Sequence, residues 1–212
     1  MAARFDLPPL LAPISKLLSS LVAADAPIER TEDCWRVRGV GAEPPFLYDL
    51  TVFYGLEDGE IDSHVAIHGR EPHPAFREFL RHVNGAHLYD IDLDGMAASM
   101  RKSPSLLDRS ADMPRDWSFS NAERLHGAGP EWHMIGGRDL DWSGRLVYFM
   151  SPSGSITTAV RGQPRTATHE NLTALLEHEL KDAPARLTAS RHEWSQRAQS
   201  KSRWWSRLLR RR

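Results

Sequence analysis

Asp90, Asp92 and Asp94, followed at once by Gly95, have the D-x-D-x-D-G spacing with which calcium loops gather oxygen ligands around one ion. Such a loop needs a bidentate glutamate at its twelfth position. Counted from Asp90, that place holds Arg101, a cation where the strongest anion belongs. A helix should also lead into the loop, whereas His87 to Leu93 alternates like a strand. In that reading Tyr89, Ile91 and Leu93 face a core, and Leu88, Asp90, Asp92 and Asp94 face the other way. The sequence therefore predicts no calcium. Two strand steps space the carboxylates by roughly 7 Å, so Asp90, Asp92 and Asp94 become the candidate acidic strip for a basic protein partner.

Ten histidines invite a search for transition-metal ligands. His64 and His68 stand four apart in His-Val-Ala-Ile-His, without the glutamate of a zinc-protease helix. Read as a strand, the segment holds the two side chains roughly 13 Å apart, too far to share an ion. His73, His82 and His87 surround a predicted helix without ligand spacing. The serines of Ser-Pro-Ser-Gly-Ser fall in a hairpin turn and not in a nucleophile elbow. Cys34 beside Trp35 reads as a small buried hydrophobe, and Gly136-Gly137 as a tight turn without a phosphate-binding fingerprint. No catalytic residue, metal site, cofactor or small-molecule substrate is predicted, and the expectation is a protein that is not an enzyme.

Charge is more informative. The net −1 of the 212 residues divides into +7 over residues 191–212 and −8 over residues 1–190. An acidic body carries a basic end. In that end Trp194, Arg203, Trp204, Trp205, Arg207, Arg210 and Arg211 combine cations with indole rings. This composition suits the headgroup region of an anionic membrane, or nucleic-acid phosphates with base stacking. A solubilising tail without a ligand is the plain alternative.

These residues need elements to hold them. Ile14, Leu17, Leu18, Leu21 and Val22 recur at helical spacing, which predicts a helix over 13–24. Residues 34–40, 46–55 and 61–69 read as strands of a small antiparallel meander, with the Leu-Glu-Asp-Gly-Glu stretch as a turn between the last two. A helix over 73–85 buries Phe76, Phe79, Leu80 and Val83 and is closed by Asn84-Gly85. Residues 96–131 are assigned mostly to loops. Residues 145–150 and 155–160 form a hairpin, and a helix over 168–184 buries Leu172, Leu175, Leu176 and Leu180, with Pro184 past its end. Strands grouped between helices predict an α+β fold: a single domain over 1–184, with a mixed, largely antiparallel sheet flanked by helices. Residues 185–212 follow as a helical or disordered basic tail.

The single cysteine excludes an internal disulfide and suits the cytoplasm. The first residues do not read as a signal peptide, and no stretch reaches the roughly 20 apolar residues of a membrane span.

The stretch from His73 to Gly95 resembles the characteristic segment of the SUKH superfamily, the Smi/Knr-type proteins. There a short helix runs through Asn-Gly into a strand, and here Phe76, Phe79, Leu80, Asn84 and Gly85 occupy the motif places. Asp116 to Asn121, the segment from Trp132 to Ile156 and the closing Glu170 to Leu180 are similar to the family's loop asparagine, its Ile-Gly turn with hairpin, and its last helix. The resemblance covers about residues 13–182. The strands expected between 34 and 68 exceed those of short family members, and the basic tail lies outside the pattern. The resemblance implies an α+β domain without a catalytic set. It also implies that the chain is a bacterial immunity protein that binds and neutralises a toxin, often a nuclease. A regulatory adaptor, held at a membrane or anionic polymer by the tail, is the second reading.

Overall fold

A computed structural model describes residues 7–38, 48–96, 114–117, 125, 128–140, 144–160 and 163–193. Nine strands pair in the order in which the chain makes them, every neighbour antiparallel. They are β1 (Ile28–Arg30), β2 (Cys34–Arg38), β3 (Tyr48–Tyr54), β4 (Val83–Leu88) and β5 (Ile91–Leu93), then β6 (His133–Leu140), β7 (Gly144–Met150), β8 (Ile156–Val160) and β9 (Arg165–His169). The helices are α1 (Ala12–Ala23), α2 (Asp58–His68), α3 (Pro74–His82) and α4 (Leu172–Leu180), then α5 over residues 183–193. The α+β architecture follows the sequence expectation. The sheet itself is a pure meander, and the one parallel contact among the described residues is an isolated bridge between Gly95 and Asp116.

Alternation along the strands divides the sheet into two faces. Leu50 and Val52 of β3, Ala86 and Leu88 of β4, and Ile91 and Leu93 of β5 join one core with the apolar sides of α1, α3 and α4. On the opposite face Met134, Val147, Phe149 and Ala159 form a second, smaller cluster with Leu125.

The largest departure from the sequence reading is α2. Ile61 to Gly69 alternates well enough to suggest a strand, but Ile61 and His64 are buried one helical turn apart. The backbone N–H of Glu57 is capped by Glu60 Oε2 at 2.9 Å, so the supposed turn is a helix start. Gly69 ends the helix with φ 68°, the left-handed region.

Asn84 and Gly85 do not close α3, which ends at His82; they continue into β4. Asn84 is buried and clamps the chain after β5. Its Nδ2 donates to the Met96 carbonyl at 3.0 Å, and its Oδ1 accepts from the Met96 N–H at 2.6 Å. The single strand expected from His87 to Leu93 is a hairpin instead. Tyr89, at φ 60°, and Asp90 turn the chain between β4 and β5, and Leu88 faces Ile91 across the turn.

Gly136-Gly137 is not a turn either, but the middle of β6. A Cβ on Gly136 would lie 2.2 Å from the Asp92 carbonyl oxygen, and one on Gly137 2.4 Å from that of Leu146. Both neighbouring strands approach too closely for any side chain there.

Candidate functional site

The three aspartates of the expected strip go to three different places. Asp90, in the β4–β5 turn, accepts from Arg186 of α5, Nε to Oδ2 at 2.6 Å and Nη2 to Oδ1 at 3.0 Å. Its side chain is 14% exposed. Asp92 lies on the face opposite the helices and is 29% exposed. Asp94 is fully buried (0% exposed), with Arg115 Nε 3.6 Å from its Oδ1. They therefore make no single exposed strip. Each ties β5 or its turn to a distant part of the chain: α5, β7 or the 114–117 segment.

Asp92 centres the best-built polar group. In register across the sheet run Arg36, Thr51, His87, Asp92, Gly137 and Val147. His87 Nδ1 donates to Asp92 Oδ1 at 2.7 Å, and Arg145 Nη2 donates to Asp92 Oδ2 at 2.9 Å. Arg145 Nη1 also reaches Asp139 at 2.9 Å. Arg145 belongs to β7, two strands from Asp92, and it crosses β6 where Gly137 has no side chain. A Cβ on Gly137 would stand 3.0 Å from its Nε. Burial opposes the charge on Asp92, but the hydrogen bond and charge of His87, together with Arg145, outweigh it and lower the carboxyl to about 2. A carboxylate orienting an imidazole is half of an acid–base apparatus. Thr51, the neighbour of His87 on β3, is only 1% exposed, so a substrate cannot reach it.

On the helix-covered face a second ionic group joins α4 and α5 to the sheet. Arg138 Nε donates to Glu179 Oε2 at 2.8 Å, and Arg186 Nη2 donates to the same oxygen at 3.2 Å. The buried Tyr148 hydroxyl lies in their field. Burial, reinforced by the Glu179 charge, raises its pKa well above the ordinary range. Arg191 adds an ion pair to Asp49 of β3 at 2.6 Å. The boundary expected after Pro184 thus falls in the first turn of α5. Leu187 is buried there, and Arg186 and Arg191 are anchored.

Exposed acidic side chains are concentrated elsewhere, at α2 and α3. Glu57, Asp58, Glu60 and Asp62 are exposed at the start of α2, beside Glu71 and the half-buried Glu78. Arg77 pairs with Asp58, Asp62 and Glu71, and Arg81 with Asp58 and Glu78. Hydrogen bonding from Arg81 first, and then from Arg77, lowers the Asp58 carboxyl. Two guanidiniums among six carboxylates leave this patch negative.

The helical state of α2 also overturns the separation expected of its histidines. His64 and His68 lie on one side of it, ring centroids 4.3 Å apart. Trp194, Arg203, Trp204, Trp205, Arg207, Arg210 and Arg211 lie outside the described residues. The acidic patch was legible only as composition, because reading residues 56–60 as a turn and 61–69 as a strand scattered its members. The sequence matches no protein-family model, and it has no match among the curated proteins or the solved structures.

Proposed function

We propose that the protein is a non-catalytic binding module: a cytoplasmic immunity-type protein that occupies the basic face of a toxin domain, such as a nuclease. The observation that carries this reading is the acidic patch of α2 and α3, on a body whose residues 1–190 hold a net −8. Nucleic-acid-cleaving domains present cationic clefts. A rigid array of carboxylates can fill such a cleft in place of phosphates, with attraction speeding the encounter. The helical position of the patch supports a preorganised surface, because α3 buries Phe76, Phe79 and Leu80 and Arg77 of α3 cross-links the carboxylates of α2. The resemblance of His73–Gly95 to the Smi/Knr segment supports the immunity assignment.

The direct test is co-expression with the toxin-like proteins encoded beside this gene. The reading expects growth to be restored and the toxin domain to co-purify with the full chain. Failure to protect against any of them, with no complex recovered, overturns it. The +7 of residues 191–212 favours the second reading, an adaptor held on anionic surfaces.

A further inference from the structure

We infer that His169 of β9 and His178 of α4 form a pH-sensitive contact, which pins the edge of the sheet at neutral pH and loosens it in acid. β9 is the last strand of the meander, paired with β8 alone among the described residues. Arg165 to Thr168 are exposed along it, and His169 is half-buried. His169 stands opposite the buried Ile156 of β8, whose side chain belongs to the core under α4. There its ring meets that of His178, with centroids 5.2 Å apart and planes inclined by 46°.

As neutral rings the two imidazoles pack; as imidazoliums they are like charges at contact distance. Burial first, and then the charge of His178, lowers His169 below the ordinary histidine value. Glu179 acts in the opposite sense, but Arg138 and Arg186 already hold its carboxylate. β8 presents the apolar Ile156 in register with His169. Glu170 follows His169 directly, and Lys181 and Asp182, of opposite sign, follow His178 by about one turn. α1, which also packs on α4, carries the exposed Lys16 as its one charged residue. A depressed folded-state value means that the stabilisation is fully present above the unfolded value, about 6.5. It is lost as the pH falls through the folded value.

Beyond its ladder, β9 is tied to β8 by threonines. The Thr157 and Thr168 hydroxyls lie 3.3 Å apart, and Thr166 Oγ1 donates to the Thr158 carbonyl at 2.9 Å. Loosening β9 makes β8 the edge, a strand whose residues Ile156 to Ala159 are buried in the neutral fold. Its freed backbone groups can then pair with another extended chain. The contact thus exchanges an exposed edge for a buried, β-branched one.

The test is amide hydrogen exchange of the full chain at about pH 7.5 and about pH 5.5, alongside His169→Gln and His178→Gln. Rates are corrected for the intrinsic pH dependence of exchange, and β9 is compared with β6 and β7. Circular dichroism checks the fold of both variants. His178 is exposed, so His178→Gln should keep the fold and decides alone if His169→Gln does not. The proposal expects β9 protection in the wild type to drop at least about threefold in acid relative to β6 and β7. The drop should vanish in His169→Gln and shrink in His178→Gln. No drop in the wild type, or a drop that either folded variant retains in full, overturns the proposal.

Discussion

Asp92 shows how one carboxylate can be worth more to the fold than to any partner. His87 and Arg145 satisfy it from two different strands, and its ionisation is favoured in the folded state, with the carboxyl lowered from 3.8 to about 2. A depressed folded-state value means the stabilisation is fully present above the unfolded value. It fades as the pH falls from about 4 toward 2. The linkage amounts to about 2 kcal/mol at neutral pH. Asp92→Asn should therefore lower the stability measured by urea denaturation by about 1–3 kcal/mol at pH 6. The gap between variant and wild type should shrink by roughly half at pH 3. An undiminished gap at pH 3 would mean that Asp92 acts through packing alone.

Among the elements, α5 carries the sharpest expectation. Its Leu187 is buried, Arg186 bridges Asp90 and Glu179, and Arg191 pairs with Asp49. Deleting residues 185–212 removes all three and should cost about 3 kcal/mol or more, since loss of one buried leucine alone costs 2–5 kcal/mol. Deleting only residues 194–212 removes none of these contacts, so its loss should be the smaller of the two. Equal losses in urea denaturation would contradict the place given to α5.

The same elements show what the sequence could and could not reveal. α1, α3, α4 and the β7–β8 hairpin carry strong apolar periodicity or a turn signature, and they form close to where the sequence places them. α2 and β6 failed for opposite reasons. In α2 an alternation of apolar residues concealed a helix whose signals lie at its ends, the Glu60 cap and Gly69. In β6 two glycines that normally mark a turn were required by the close approach of β5 and β7, a tertiary demand with no local signature. The aspartate strip failed likewise: its partners Arg186, Arg145 and Arg115 are remote in sequence.

For the whole molecule, the decisive feature is the net negative charge left at the surface of α2 and α3 after Arg77 and Arg81 have paired there. Arginines of β7, α5 and the 114–117 segment turn inward to Asp92, Asp90 and Asp94, while the carboxylates of α2 stay at the surface. Surface ion pairs contribute little to stability. Asp58→Asn/Asp62→Asn/Glu71→Gln removes the field together with the three ion pairs of Arg77, so circular dichroism first checks that the variant is folded. The most direct measurement is the rate at which the full chain associates with the basic domain that the proposed function expects to co-purify with it, at about 20 mM and about 200 mM salt. The wild-type rate should fall about tenfold or more over that range, and the triple variant should associate slowly at both. A rate indifferent to salt, and equal in wild type and variant, would contradict recognition through the acidic face.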